Sequence, residues 1–458
     1  MSITENLTPA TGSDTLPAGP RHADPVSPHG GRPQSKVKTL MGIGAGNAVE
    51  WFDWAIYATF ASFISGQLFS KADATSAFLA TMAIFAVGFV ARPFGGLFFG
   101  LIGDKVGRKA AMTFAVALAS VGSLIIAITP TYESIGAAAS LILLVARLLQ
   151  GLAHGGEMPS AQTYLAEMAP APKRGLYSTL IYFSGTAGIV VGTLLGAILT
   201  MTLSKEQMAG FGWRIPFAIG ALMGLYTLIM RSRLKETKQF EEQKAAKAEQ
   251  GNRGPSVFSQ IIANWRKALQ VIGLTVGLTV VYYIWSISTP AYAISTLKMD
   301  PAAALWTGVA ANIVFMIALP FWGKLSDRIG RRPVLIISCV GAAALQIPMA
   351  SFVRGEAWQL FISMSVMLIF IAASASIVPA VYAELFPTAI RTVGVAIPYA
   401  ICVAAFGGTA AFLQAGFAAW FGMATGALAF SVYAMVLLLT SAVTAYKLPE
   451  SAGKDLNG

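Results

Sequence analysis

Gly46-Asn47-Ala48-Val49-Glu50-Trp51-Phe52-Asp53-Trp54-Ala55-Ile56-Tyr57 places two carboxylates inside an apolar run that begins after Lys38. Glu50 lies 12 residues past Lys38, about 18 Å along a helix at ~1.5 Å per residue, when a hydrocarbon core is about 30 Å thick. Glu50 and Asp53 are spaced i,i+3, Tyr57 follows Asp53 by i+4, and all three share one helix face with Asn47. Charges at that depth are costly unless they face a bundle interior or a watery cavity, so they mark transport pathways or proton relays. The other reading is a buried ion pair that only fixes packing.

The rest of the chain agrees with a membrane setting. It is 55% hydrophobic and only 12% charged, with mean hydropathy +0.65, outside the range of ordinary soluble domains. The net charge of +11 would suit nucleic acid or a membrane surface, and the placement of the charges decides for the membrane. Cys339 and Cys402 sit in apolar runs and read as small hydrophobes, not as disulfide or metal partners. Residues 1–35 are rich in Pro, Ser, Thr and Gly without an apolar core or cleavage site, so they read as a disordered tail and not as a signal peptide.

Charge-poor runs mark spans at about 38–66, 76–102, 110–132, 136–165, 175–204, 215–230, 268–297, 301–323, 333–353 and 357–383. The run 392–446 is too long for one crossing and must break near Gly416 to Gly422, which brings the count to twelve. The fold class expected is an all-α integral membrane protein. Basic residues orient it: the N-tail, every second loop and the C-tail hold 25 Lys or Arg, while the other side holds only Lys71, Lys205, Lys298 and Arg354. Both termini are therefore expected in the cytoplasm. Arg214 falls near the opposite interface, and Arg92 and Arg147 lie within spans.

The chain also repeats itself. Gly103-Asp104-Lys105-Val106-Gly107-Arg108-Lys109 recurs as Ser326-Asp327-Arg328-Ile329-Gly330-Arg331-Arg332, and Glu167 and Arg174 are matched by Glu384 and Arg391. Duplicated loop chemistry implies two pseudo-symmetric six-helix bundles, at 36–232 and 265–447. A cytoplasmic linker at 233–264 joins them, flanked by tails at 1–35 and 448–458. A midplane substrate site between such halves is the rule for secondary transporters.

The loop pair in these positions resembles the signature of the major facilitator superfamily. Gly46-Asn47 with Glu50-Trp51-Phe52-Asp53, Arg92-Pro93-Phe94-Gly95-Gly96, Arg147-Leu148-Leu149-Gln150-Gly151, Gly155-Gly156-Glu157 and Trp213-Arg214-Ile215-Pro216-Phe217 narrow the match. Together they resemble its metabolite:proton symporter branch, which carries α-ketoglutarate and other dicarboxylates, proline and betaine, shikimate and citrate. Within it the chain looks most like the dicarboxylate permeases, while Ala153-His154 and Met158-Pro159-Ser160 depart from the expected pattern. The resemblance implies proton coupling at Asp53, Glu50, Arg147 and Glu157. It also implies a latch on the inward-closed state made by Asp104, Arg108, Lys109, Asp327, Arg331 and Arg332, some of which also anchor topology.

Candidate substrate contacts follow from residue chemistry. Arg92 lies about 18 Å from the cytoplasmic end at ~1.5 Å per residue, with a forked donor set suited to a carboxylate; alternatively it pairs with Glu50 or Asp53. Arg147, Gln150, His154 and Glu157 are spaced 3, 4 and 3, which predicts one polar stripe on the fourth helix. His154 has two readings, a titrating cavity group or a hydrogen-bonded packing residue. On the seventh helix Tyr282, Tyr283, Trp285 and Ser286, with Pro290 loosening the backbone, suit a cavity wall for a small oxygen-rich ligand. Tyr57 completes the candidate set.

No nucleotide-binding loop, metal cluster or nucleophile–base pair is found in the soluble segments. That argues against ATP-driven transport, enzymatic chemistry, cofactors and nucleic-acid partners. The reading expected is a monomeric inner-membrane symporter importing a small organic anion, most simply a dicarboxylate, with a proton. A proline/betaine or shikimate/citrate carrier is the alternative, and a non-transporting receptor on the same fold a third.

Overall fold

Apolar runs become helices in the expected order in the computed structural model, which describes residues 36–105, 108–155, 157–232, 263–387, 391–454 and 456. The N-tail and most of the linker lie outside the described residues, and no strand occurs among those described. Residues 42–458 form one compact unit. The first half comprises α1 (Lys36–Thr59), α2 (Ala61–Leu68), α3 (Ala74–Lys105), α4 (Arg108–Ile128), α5 (Tyr132–Ile135), α6 (Ala138–Ala153), α7 (Glu157–Met168), α8 (Arg174–Thr202), α9 (Lys205–Gly210) and α10 (Ile215–Ser232). The second half comprises α11 (Trp265–Tyr282), α12 (Thr289–Ser295), α13 (Pro301–Ile329), α14 (Arg331–Phe352), α15 (Ala357–Leu385), α16 (Arg391–Cys402), α17 (Gly408–Phe421) and α18 (Met423–Lys447).

Nine described helices are long and apolar enough to cross a bilayer. Two shorter apolar stretches, Thr113–Ile128 and Ala138–Ala153, and the charged α1 supply the remaining crossings of a twelve-helix arrangement. The predicted break in 392–446 falls at Gly422, whose φ of +82° suits a residue without a Cβ. The seventh crossing is interrupted by a π-helical turn at Tyr283–Ser288. There the hydroxyls of Ser288 and Thr289 donate to the carbonyls of Tyr283 (3.1 Å) and Ile284 (2.7 Å), next to Pro290, which has no N–H of its own.

The fourth crossing corrects the expectation of one continuous helix. α6 ends at Ala153, His154 is its C-cap with φ −89° and ψ 6°, and a new helix starts at Glu157. The reason is tight packing: a Cβ on Gly155 would lie 2.1 Å from the Arg92 carbonyl oxygen and 2.3 Å from the Gly96 nitrogen. Glycines that allow this approach are poor helix formers. The 3-4-3 spacing therefore runs along one helix only from Arg147 to Gln150, with His154 at its cap and Glu157 on the next helix.

At the end carrying the basic loops, the repeat becomes reciprocal pairing. Arg174 Nη1 reaches Glu384 of the other half at 3.0 Å, and Arg391 Nη1 reaches Glu167 at 2.6 Å. Each arginine also donates its Nε–H to a carbonyl eight residues back, Ala166 and Ala383. Asp327 accepts the N–H groups of Gly175 (2.9 Å) and Leu176 (3.0 Å) at the start of α8, and holds Arg331 at 2.8 Å. A carboxylate at a helix N-terminus meets the positive end of its dipole. Glu450 does the same for α14, accepting from the backbone N–H of Arg331 (2.8 Å) and Arg332 (3.1 Å). The tail beyond it closes the seam, with the Lys454 and Leu456 carbonyls accepting from Arg174 and Arg391, each at 2.9 Å.

Burial pushes the Glu450 carboxyl up, but four backbone N–H donors, on Arg331, Ala452, Arg332 and Ser451, together pull it further down, so it titrates below its ordinary 4.5. A depressed carboxylate contributes stability that is present above the ordinary value and lost as pH falls through the folded one. Acidification below about 4.5 is therefore expected to expose the tail to protease. Glu450→Gln should expose it at neutral pH and flatten that pH step, which limited proteolysis of the purified protein will read.

The side chains of Arg174 and Glu384 are 4% and 0% exposed, whereas Lys71 and Glu133 pair at 58% and 69% exposure. Removing one partner of a buried pair strands the other charge, at about 3–5 kcal/mol. Thermal unfolding in detergent should therefore show a large drop in midpoint for Glu384→Gln and an unchanged midpoint for Lys71→Gln, since exposed pairs contribute little.

Candidate functional site

α3 and α6 meet backbone to backbone: a Cβ on Gly151 would lie 2.1 Å from the Gly88 carbonyl oxygen. Small residues permit such approach in membrane bundles. Its consequence is that one arginine from each helix lands on the same indole. The Arg92 and Arg147 guanidinium carbons lie 4.0 and 4.2 Å from the Trp54 ring centroid. Arg92 also faces Phe89 at 4.5 Å, and Arg147 faces Tyr57 at 4.3 Å. Trp54 is 1% exposed and Arg147 fully buried. Desolvated cation–π contacts reach about 2 kcal/mol each and suit a weakly hydrated guanidinium.

The stacking leaves donors unused. Among the described residues, Arg147 Nε and Nη2, Arg92 Nε and Trp54 Nε1 are buried without a hydrogen-bond partner. A buried unmade hydrogen bond costs about 1–3 kcal/mol. Here such donors cluster around two cations.

Asp53 is linked to this pair through Gln150. Arg147 Nη1 donates to Gln150 Oε1 at 2.8 Å, and Gln150 Nε2 donates to Asp53 Oδ1 at 3.2 Å and to Ser123 Oγ at 2.8 Å. Ser123 donates its own proton to Asp53 Oδ1 at 2.5 Å, while Asp53 Oδ2 has no partner among the described residues. Glu50 and Asp53 are both 7% exposed, one turn apart. Tyr57 donates its hydroxyl to the Thr81 carbonyl at 3.0 Å and stacks on Phe85, so its polar atom is committed to the bundle. Asn47 ties α1 to α8 through the Ile181 carbonyl at 2.6 Å and Ser184 Oγ at 2.9 Å.

His154 stands edge-on to Trp54 at 5.9 Å, and its Nδ1 contacts the Gln150 carbonyl oxygen at 2.6 Å. A carbonyl only accepts, so Nδ1 carries the proton. The bond caps α6 and favours the packing reading.

The seventh crossing divides its residues. Tyr282 and Tyr283 face the other half, 5.6 and 5.9 Å from Trp51, with Tyr182 at 5.2 Å from Tyr282 and Phe89 at 5.0 Å from Tyr283. Trp285 turns into the second half and donates to Gln346 at 3.0 Å, while Ser286 stands within hydrogen-bond reach of Tyr282 and donates to Asn312 at 2.6 Å. They brace the second half and are not brought to the arginine pair. Arg332 lies over the Tyr446 ring at 4.6 Å, beside the Asp327–Arg331 pair of the seam. The side chains of Asp104, Arg108, Lys109 and Glu157 lie outside the described residues.

Sequence reasoning passed over Trp54, Ser123, Trp51 and Tyr182. Trp54 was within reach, because it stands next to Asp53 in a run where an indole one residue from a buried acid invites a cation. Ser123 carries no such signal, since one serine in an apolar helix is commonplace.

The sequence profile for the Sugar (and other) transporter family matches residues 38–255 and again 239–458. The chain is 34% identical over 382 residues to the alpha-ketoglutarate permease of Escherichia coli (strain K12), covering 82% of this chain and 86% of that protein. It is 33% identical over 434 residues to the proline/betaine transporter of Salmonella typhimurium, covering 92% and 85%. A crystal structure of a D-xylose-proton symporter superposes with a TM-score of 0.71 at 18% identity over 91% of this chain and 99% of that one, a likeness of fold. The chain belongs to the sugar (and other) transporter family of the major facilitator superfamily.

Proposed function

We propose that this protein is a proton-coupled importer of a small organic anion, a dicarboxylate such as α-ketoglutarate. It would work as a monomer in the inner membrane with both termini in the cytoplasm. The observation that carries the reading is the pair of arginines stacked on Trp54, with unused N–H donors beside a carboxylate cluster. In the cycle we infer, Asp53 takes a proton and the anion binds at Arg92. A neutral Asp53 no longer opposes burial, so the halves close over the site and rock to the other side. Arg147, reached through Gln150, holds Asp53 ready to release the proton. The reciprocal pairs of Arg174 with Glu384 and Arg391 with Glu167, together with Asp327, Arg331 and Arg332, serve as the latch.

A second reading rests on the aromatic group of Trp51, Tyr282, Tyr283 and Tyr182. Such rings could cage the ammonium of a zwitterion whose carboxylate meets Arg92, as proline or betaine would. Two neighbouring guanidiniums weigh against a cation and favour a second carboxylate. Uptake into proteoliposomes of radiolabelled α-ketoglutarate, succinate, citrate, shikimate, proline and betaine, with and without a protonophore, tests both. Betaine uptake without dicarboxylate uptake would select the second reading, and no uptake of any compound would reject transport of this class.

Asp53→Asn is expected to abolish uphill accumulation while substrate exchange persists, measured by counterflow in the same vesicles. Normal accumulation by the variant would move the proton site elsewhere.

Arg92→Lys keeps the charge but loses the planar fork and the stack on Trp54. It is expected to raise KM by about tenfold, equivalent to ~1.4 kcal/mol, with unchanged abundance in the membrane. An unchanged KM would make Arg92 a structural cation.

A further inference from the structure

We propose that the proton held at Asp53 leaves through a cleft inside the first six-helix half, and not through the seam between the halves that the anion must use. The inference rests on the proton-site reading of Asp53 above and adds a route to it.

The cleft has a volume of about 890 Å3 and lies between α1, α4 and α10. Asp53, Ser123 and Gly220 line one end of it; Ala45, Ala115 and Thr227 line the other. α4 begins at 108 and α10 ends at 232, next to the basic loops. Asp53 and Ala45 are eight residues apart, so the cleft runs about 12 Å from the carboxylate toward the basic end at ~1.5 Å per residue. Tyr226, 67% exposed within the span Gly212–Ile229, forms the lipid-facing rim of the cleft. Val49, Phe52, Leu222 and Met223 make much of the lining apolar, so water is confined to the polar strip of the cleft, where each molecule needs two to four polar partners. Ser120 and Thr227 donate to the Val116 and Met223 carbonyls and so offer water acceptor lone pairs, Tyr226 adds a hydroxyl, and Asp53 supplies an Oδ2 that no described protein atom engages.

Among the described residues the seam at that end is occupied by the Arg174–Glu384 and Arg391–Glu167 pairs and by the Lys454 and Leu456 carbonyls bonded to them. Asp53 thus borders a space that leads toward the basic end, its far lining seven residues inside the start of α4 and five before the end of α10, while the halves are tied together there. The charged and titratable groups around it are Glu50 and Tyr57 on its own helix, Arg147 and His154 from α6 and its cap, and Tyr226 from α10. α4 faces it with the hydroxyls of Ser120 and Ser123. In the step inferred, the O–H bond of the protonated Asp53 carboxyl breaks and a cleft water takes the proton. The electron pair stays on the carboxylate, which Ser123 and Gln150 hold by their existing hydrogen bonds. Arg147 then favours the ionised form through Gln150.

Ala119→Cys and Val116→Cys place thiols on the α4 wall with little change in volume, against native Cys339 and Cys402, which are buried. Both variants would be treated with a cationic, membrane-impermeant thiosulfonate in inside-out membrane vesicles, with the unsubstituted protein as background. Labelling from the basic end is expected. Labelled protein should lose proton-driven accumulation of α-ketoglutarate, or of whichever test compound the panel above identifies, by about tenfold or more, while counterflow exchange stays within about twofold. Absence of labelling at both positions would overturn the cleft as a watery route. Full labelling that leaves accumulation intact, or that lowers exchange equally, would overturn its role in proton release. Asp53→Asn in the same vesicles separates the two levels: normal accumulation there rejects Asp53 as the proton site, whatever the cysteines report.

Discussion

Two guanidiniums against one buried indole are the arrangement on which the rest of this protein depends. An isolated charge in the hydrocarbon interior is paid for by neutralisation or by partners, and here the partners are π-faces, one glutamine and a carboxylate. Stacking suits arginine because its N–H groups remain in the plane, free to meet a ligand while the face is occupied. In the proposed cycle a carboxylate from the substrate would supply the partners that these buried donors lack.

The glycine contacts explain how a helical bundle presents such a site. α3 and α6 can bring Arg92 and Arg147 to one ring only if their backbones approach without Cβ atoms between them, at Gly88 and Gly151. The same closeness ends α6 at His154. Packing density, positioning of the charges and the helix break are thus one constraint with three visible effects. The seam at the basic end follows a different logic. There the duplicated Glu and Arg exchange partners between halves, so both pairs form or break together when the halves move. The Arg174–Glu384 pair is buried and Glu167 of the other is 42% exposed, so it is the first whose breaking strands a charge most heavily.

Much of this was legible in the sequence because membrane solvation leaves few alternatives. Runs of apolar residues had to be helices, the charge census oriented them, and Glu50, Asp53, Arg92 and Arg147 stood out as expensive exceptions. Pro290 announced a loosened backbone, and a π-turn sits directly before it. What stayed hidden was direction. Spacing put Trp285 and Ser286 beside Tyr282 and Tyr283, and Ser286 does stand beside Tyr282, but Trp285 points to Gln346 within the second half. The 3-4-3 spacing of Arg147, Gln150, His154 and Glu157 assumed a helix that the glycines interrupt. Periodicity reports a face only while the helix is regular. Ser123 was invisible for a further reason: its meaning lies entirely in the carboxylate that a distant segment brings to it.

Gln150 is the residue that makes these separate features one device. Its amide has an acceptor and a donor end, and here the acceptor meets Arg147 while the donor meets Asp53 and Ser123. With the arginine always charged, the amide is oriented, and its N–H is aimed at the carboxylate. A direct ion pair would hold Asp53 ionised so firmly that a proton could not compete. An amide between them passes on part of the arginine's field and leaves Oδ2 available. In the proposed cycle that intermediate strength is what a coupling carboxylate requires, because it must accept a proton on one side of the membrane and release it on the other. An anion settling on the unused N–H groups of Arg147 and Arg92 would draw down the same positive charge and weaken the hold on the ionised form of Asp53. Substrate and proton then favour each other's binding through shared arginines, without any contact between them.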